Sequence, residues 1–128
     1  MKFAFSTVSC PKWDFETILV RAKEYGYDGV EIRGFLDEAI LTASNVFLTD
    51  TAKIRRQFES AGVGICCLAS SIVYSGKKKI DEQLAEDLKK YIDTAAAIGS
   101  PLVKVFDTQV KAGQTRDSAG AEAWVDVE

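Results

Sequence analysis

The chain has 128 residues, of which 47% are hydrophobic and 27% charged, a composition ordinary for one globular domain and unlike that of a disordered chain. A net charge of −3 and a pI near 5.1 argue against nucleic-acid binding, which is marked by a basic face. No stretch reaches the roughly 20 apolar residues of a membrane span, and the N-terminal MKFAFSTVSC is too short and too polar at its end for a signal peptide, so a cytoplasmic location without membrane or nucleic-acid partners is expected.

Taken in chain order, residues 3–8 form a short apolar run with strand character. A helix then starts at Asp14, a good N-cap, and places Phe15, Ile18, Leu19, Ala22 and Tyr25 on one face before stopping at Gly26. Residues 30–33 form the next strand. A second helix begins near Asp50, aligns Ile54, Phe58 and Ala61, and ends at Gly62. Residues 63–69 are strand-like, and the basic run Lys77-Lys78-Lys79 that follows reads as a solvated loop. A third helix starts at Asp81, aligns Leu84, Leu88, Tyr91, Ile92, Ala95 and Ile98, and ends at Gly99, before a last strand at 102–106. Val30, Ile32, Val63, Ile65, Val103 and Val105 supply the β-branched content that favours strand over helix.

The helix-ending glycines recur at intervals of 36 and 37 residues, which is an internal βα repeat. The expected fold class is therefore α/β, with parallel βα repeats forming half of a (β/α)8 TIM barrel over residues 1–108. Residues 109–128 form a C-terminal tail or the start of a fourth helix. A full barrel takes about 250 residues. Four strands leave two open edges, which invites a homodimer or other association through those edges. A flavodoxin-like reading would want a glycine-rich turn after the first strand, and TVSCPKWD has no glycine.

The chemistry is bounded by the absence of histidine, which removes Cys–His nucleophile pairs and Cys/His zinc sites. Cys10, Cys66 and Cys67, an odd set with two adjacent members, read as reduced buried thiols. Catalytic residues of barrels lie at the C-terminal ends of strands. Strand alternation puts Glu31 and Arg33 on one face, pointing into the barrel if Val30 and Ile32 face the helices. Glu31 then orients a substrate hydroxyl, or serves as a base whose pKa burial has raised. Arg33 binds a carboxylate, phosphate or sugar hydroxyl, unless the two form a structural ion pair. Lys104 shares a face with Phe106. It either stabilises an oxyanion, with Asp107 beside it, or snorkels to the sheet edge. Ser70 and Ser71 offer hydroxyls to a sugar or cap a loop. Trp13 offers an apolar sugar platform or staples the first helix.

The segment GYDGVEIRG at residues 26–34 resembles the first helix-to-strand junction of the sugar phosphate isomerase/epimerase family, the xylose isomerase-like TIM barrels. KFAFST is similar to that family's first strand, FESAGVGICCLASS to its second helix and third strand, and IGSPLVKVFDT to the approach to its fourth strand. The resemblance covers residues 1–108. It implies an isomerase or epimerase that acts on a small sugar or polyol by metal-assisted proton transfer, using a divalent metal (Mn, Mg or Zn). The usual metal ligands lie on strands 5 to 8, so no metal ligand is expected in this chain. The endonuclease IV branch would show a histidine near residues 69–71, where Ala69, Ser70 and Ser71 stand instead. The alternative is a non-catalytic half-barrel that associates through its open strand edges.

Overall fold

A computed structural model of the chain describes residues 1–36, 41–73 and 82–106, together with Gly113 and Thr115. Its elements run β1 (Ala4–Ser6), a 3-10 turn at Thr7–Ser9, α1 (Phe15–Glu24), β2 (Gly29–Ile32), a 3-10 turn at Leu41–Ala43, α2 (Asn45–Thr49), α3 (Thr51–Ala61), β3 (Gly64–Val73), α4 (Glu82–Ile98) and β4 (Val103–Phe106). The four strands form one sheet in the order β1-β2-β3-β4, with every neighbouring pair parallel. This is half of a (β/α)8 barrel, as the glycine rhythm predicts.

The repeat is visible in atomic detail at the helix ends. Gly26, Gly62 and Gly99 have φ of 73°, 68° and 83°, a left-handed conformation that costs only glycine little. After each one the chain reverses on the same long hydrogen bond: Tyr27 N to Ala22 O (2.8 Å), Val63 N to Phe58 O (3.2 Å) and Ser100 N to Ala95 O (2.8 Å). At the start of α1, Asp14 accepts from Thr17 N at 2.8 Å, the N-cap its position implies. Gly29 is needed for space. A Cβ there would meet Gly64 O of the neighbouring β3 at 3.1 Å, tighter than an ordinary contact.

The helices cover one side of the sheet. Ile18, Val30, Ile32, Ile54, Leu68 and Ile98 are almost completely buried there. Phe15 stacks on Phe35 at 4.1 Å between ring centroids and meets Phe47 and Phe58 edge-on.

The structure corrects several sequence expectations. The first strand is shorter than residues 3–8, because the chain turns into a 3-10 helix at Thr7. A short helix not expected from the sequence precedes the second predicted one. The helix expected from Asp50 to Gly62 is α3, with those two residues as its caps, and the unexpected helix is α2 before it, whose Phe47 fills the aromatic core. β3 runs on to Val73, beyond its expected end at residue 69. Tyr25 and Ile92, assigned to buried faces, are 63% and 50% exposed, Tyr25 because it lies past the last residue of α1 as its C-cap and Ile92 because it lies at the margin of α4's packed stripe. Asp81, the loop at Lys77–Lys79 and nearly all of the 109–128 tail lie outside the described residues.

Thr7, 2% exposed, joins the C-terminal ends of β1 and β2. Its Oγ1 accepts from Arg33 N at 2.8 Å and donates toward Gly34 O at 2.8 Å, with Arg33 O also in reach at 3.0 Å. Replacing Thr7 by Val keeps the volume but leaves the Arg33 amide without an acceptor. Urea unfolding is expected to show a loss of about 1–3 kcal/mol; an unchanged midpoint would mean that this bridge contributes nothing.

Candidate functional site

The sheet's other face, which would line the barrel, carries the charged residues. Val30 and Ile32 turn to the helices and are fully buried, so alternation directs Glu31 inward. Lys104 Nζ donates to Glu31 Oε2 at 2.6 Å, linking β2 to β4 across β3. The side chains are 22% (Glu31) and 38% (Lys104) exposed, a pair at the boundary between interior and solvent. The structural ion pair foreseen for Glu31 thus forms with Lys104 and not with Arg33.

Arg33 instead lies over the ring of Phe106, its guanidinium carbon 4.9 Å from the centroid, and Lys104 Nζ lies 5.9 Å from the same ring. Phe106 holds two cations near Glu31. Among the described residues the Arg33 guanidinium has no carboxylate partner, and Arg33 is exposed. Among the described residues the cluster is one carboxylate, one ammonium bonded to it, and one guanidinium seated on a ring.

Burial pushes the Glu31 carboxyl up. The hydrogen bond from Lys104, the nearby Ser6 hydroxyl, and the charges of Lys104 and Arg33 outweigh it and hold the carboxyl below its ordinary value of 4.5. The Ser6 hydroxyl approaches without completing a well-formed hydrogen bond. The raised pKa expected of a Glu31 base is therefore corrected: Glu31 is ionised at neutral pH and accepts hydrogen bonds.

The bulge in β3 adds residues that sequence reasoning missed. Val30 pairs with Ile65 but Glu31 with Cys67, so Cys66 is an extra residue opposite β2. Both thiols lie near the ion pair. Burial pushes them up, and for both the Glu31 charge adds to the effect, so neither is an activated nucleophile. A bulge leaves no periodic signal in sequence. Phe106 carried the signal of sharing Lys104's face, but its role as a platform depends on Arg33 reaching it from β2.

The other expected residues are placed elsewhere. Ser70, 1% exposed, donates to Lys104 O at 2.7 Å and accepts from Ile72 N at 3.2 Å, so it clamps the Lys104 backbone instead of facing a ligand. Ser71 borders a groove of about 670 Å³ beside Tyr91 and Thr94 of α4. Trp13 packs against the core and lines a small cavity with Phe5, Cys10 and Tyr27. Phe5 alternates away from Ser6, so this cavity is on the helix side of the sheet. Neither Ser71 nor Trp13 joins the Glu31 cluster. Asp107 lies outside the described residues.

Among the described residues no group of three or more His, Cys, Asp or Glu side chains could hold a metal ion, and no helix is long and apolar enough to cross a membrane.

A Glu31 carboxyl lowered in the folded state adds stability that is complete above its ordinary pKa and is lost as the pH falls through the folded value. Lys104→Met removes the strongest influence that lowers the Glu31 carboxyl and leaves the Ser6 hydroxyl and the Arg33 charge alone to oppose burial's upward push. At pH 7 the variant is expected to lose about 1 kcal/mol, a value discounted for the exposure of Lys104. The loss shrinks toward pH 3. Urea titrations at the two pH values test this, and an equal loss at both would show that the ion pair does not act through charge.

Neither a protein-family model nor a curated protein sequence matches the chain. Solved structures do. A probable 3-DHS dehydratase, AsbF, involved in petrobactin synthesis in Bacillus anthracis, superposes with a TM-score of 0.70 at 18% identity, over 96% of this chain and 44% of that one. A xylose isomerase domain-containing protein (stm4435) from Salmonella typhimurium LT2 gives 0.65 at 16% identity, over 95% and 42%. A xylose isomerase-like TIM barrel/4-hydroxyphenylpyruvate dioxygenase fusion protein gives 0.61 at 21%, over 85% and 17%. The chain spans less than half the length of each. At these identities the likeness is one of fold, and the chain has the fold of part of a xylose isomerase-like TIM barrel.

Proposed function

We propose that this half-barrel carries the substrate-side part of an isomerase or epimerase site for a small sugar, polyol or sugar phosphate. The observation that carries this reading is the 2.6 Å Glu31–Lys104 pair on the barrel-facing side of a fold shared with xylose isomerase-like proteins. Ionised Glu31 accepts a hydrogen bond from a substrate hydroxyl. Lys104 faces the oxygen on which negative charge develops when a proton leaves the carbon beside a carbonyl. Arg33, seated on Phe106, takes the anionic group of a phosphorylated or carboxylated substrate through its planar donor fork.

The divalent metal that the resemblance implies does not fit the described residues, which offer no ligand set for it. The roles above are therefore confined to this chain's own side chains. In this reading the proton-abstracting group and any metal come from the other half of a barrel.

Titration of the chain with erythrose 4-phosphate and with erythrose, followed by NMR of the Phe106 ring and the Arg33 side chain, separates the parts of this reading. The phosphorylated sugar is expected to shift both signals and to bind more tightly than the free sugar. Arg33→Gln is expected to weaken the phosphorylated ligand about tenfold, near 1.4 kcal/mol, while changing the free sugar little. Absence of any shift at Phe106 with either sugar would overturn the assignment.

A further inference from the structure

We infer that the groove between α4 and the C-terminal end of β3 is a second binding site, one that takes a neutral polyhydroxy compound. This inference stands apart from the Glu31 cluster, because it rests on other residues, on the helix-bearing side of the sheet.

The groove has a volume of about 670 Å³, within the roughly 300–1,000 Å³ of small-molecule sites. Its lining comes from three places: Thr42 and Leu48 around α2, Ser71 and Ile72 of β3, and the adjoining face of α4. β3 has β2 on one side and β4 on the other, so the groove depends on neither edge of the sheet.

The lining is rich in hydroxyls that the protein does not use. Ser70 bonds Lys104 O. Its neighbour Ser71 makes no side-chain hydrogen bond among the described residues, and neither do Thr42 and Thr94 across the groove. Tyr91 of α4 belongs to the same lining. It is 2% exposed, and its phenolic oxygen is shut away from water without a hydrogen-bond partner. A buried hydroxyl in that state is a standing cost, and a ligand oxygen that bonds to it removes the cost.

The charges select the kind of ligand. Asp87 accepts from Gln83 Nε2 at 3.1 Å and lies 3.5 Å from Lys90 Nζ, so the one ammonium of the lining is already engaged. Asp93 adds a second carboxylate. An anion entering here meets two carboxylates and no free cation among the described residues, and is disfavoured. A polyol is not. Carboxylates accept from its hydroxyls, and the Ser and Thr hydroxyls both donate to it and accept from it. Leu48, 65% exposed, and Ile72 offer apolar surface to its C–H groups. Arg33 on Phe106 suits an anionic ligand instead, so charge tells the two sites apart.

The test is an NMR titration of the isotope-labelled 128-residue chain with xylitol, a five-carbon polyol, and with 1,5-pentanediol, which has the same carbon chain without adjacent hydroxyls. Xylitol is expected to shift the Ser71, Tyr91 and Thr94 signals saturably, and 1,5-pentanediol to leave them in place. Ser71→Ala and Thr94→Val are each expected to weaken xylitol about fivefold. Tyr91→Phe is expected to weaken it as well while the urea midpoint falls no lower than that of the parent chain, because the hydroxyl has no protein bond to lose. Shifts that do not saturate, or equal shifts with the diol, would overturn the inference. So would saturable xylitol binding that all three variants leave unchanged. Shifts confined to Phe106 and Arg33 would overturn it too, while supporting the Glu31 site.

Discussion

Ile18 and Leu19 of α1, Ile54 and Phe58 of α3, and Tyr91 and Ile98 of α4 meet Val30, Ile32 and Leu68 of the sheet in one buried layer, each less than 8% exposed. This contact holds the helices to the strands. It also uses only one face of the sheet. Parallel sheets are ordinarily buried on both faces, so the character of this chain follows from how the second face is treated. That face is neither a second core nor ordinary surface. It carries a carboxylate and an ammonium bonded to each other and a guanidinium resting on a ring.

Charge on that face is tolerated because it is paired. An isolated buried carboxylate would take up a proton. Glu31 keeps its charge because Lys104 reaches it from two strands away, and Lys104 reaches it because β3 holds β4 in register. Ser70 contributes to that register by bonding the Lys104 carbonyl. A hydroxyl that is chemically suited to a sugar is thus spent on the backbone that positions the cation. The bulge at Cys66 acts similarly, changing the pairing beside Glu31 so that Val30 and Glu31 face Ile65 and Cys67. The site is precise because strands build it and neighbouring backbone holds it, which is the usual requirement for directing charge at a reacting group.

The fold was legible wherever a local rule was strong. A capping aspartate, a stripe at helical spacing and a glycine that must turn left-handed mark α1 from the sequence alone, and the same glycine rhythm marks the repeat. Legibility failed where the deciding contact was distant. Phe47 belongs to a short helix that no periodic pattern announces, and the aromatic cluster around Phe15 secures it. Tyr25 and Ile92 fit the helical period, but Tyr25 lies just past the end of α1 and Ile92 at the margin of the stripe that α4 buries.

For the candidate site the division is similar. That Glu31, Arg33 and Lys104 face the barrel side follows from the two-residue period of a strand and the apolar character of Val30 and Ile32. The sequence by itself determined the parallel βα order, the helix ends and the face on which the charges lie, because each depends on residues within one element. Only the tertiary structure decided that Glu31 bonds to Lys104 and not to Arg33, that Phe106 carries Arg33, that Ser70 is clamped to a carbonyl and that Trp13 lies on the far side of the sheet. These contacts depend on the register between strands whose paired or bonded residues are 25 to 73 positions apart in the chain. A bulge changes that register without leaving any local trace.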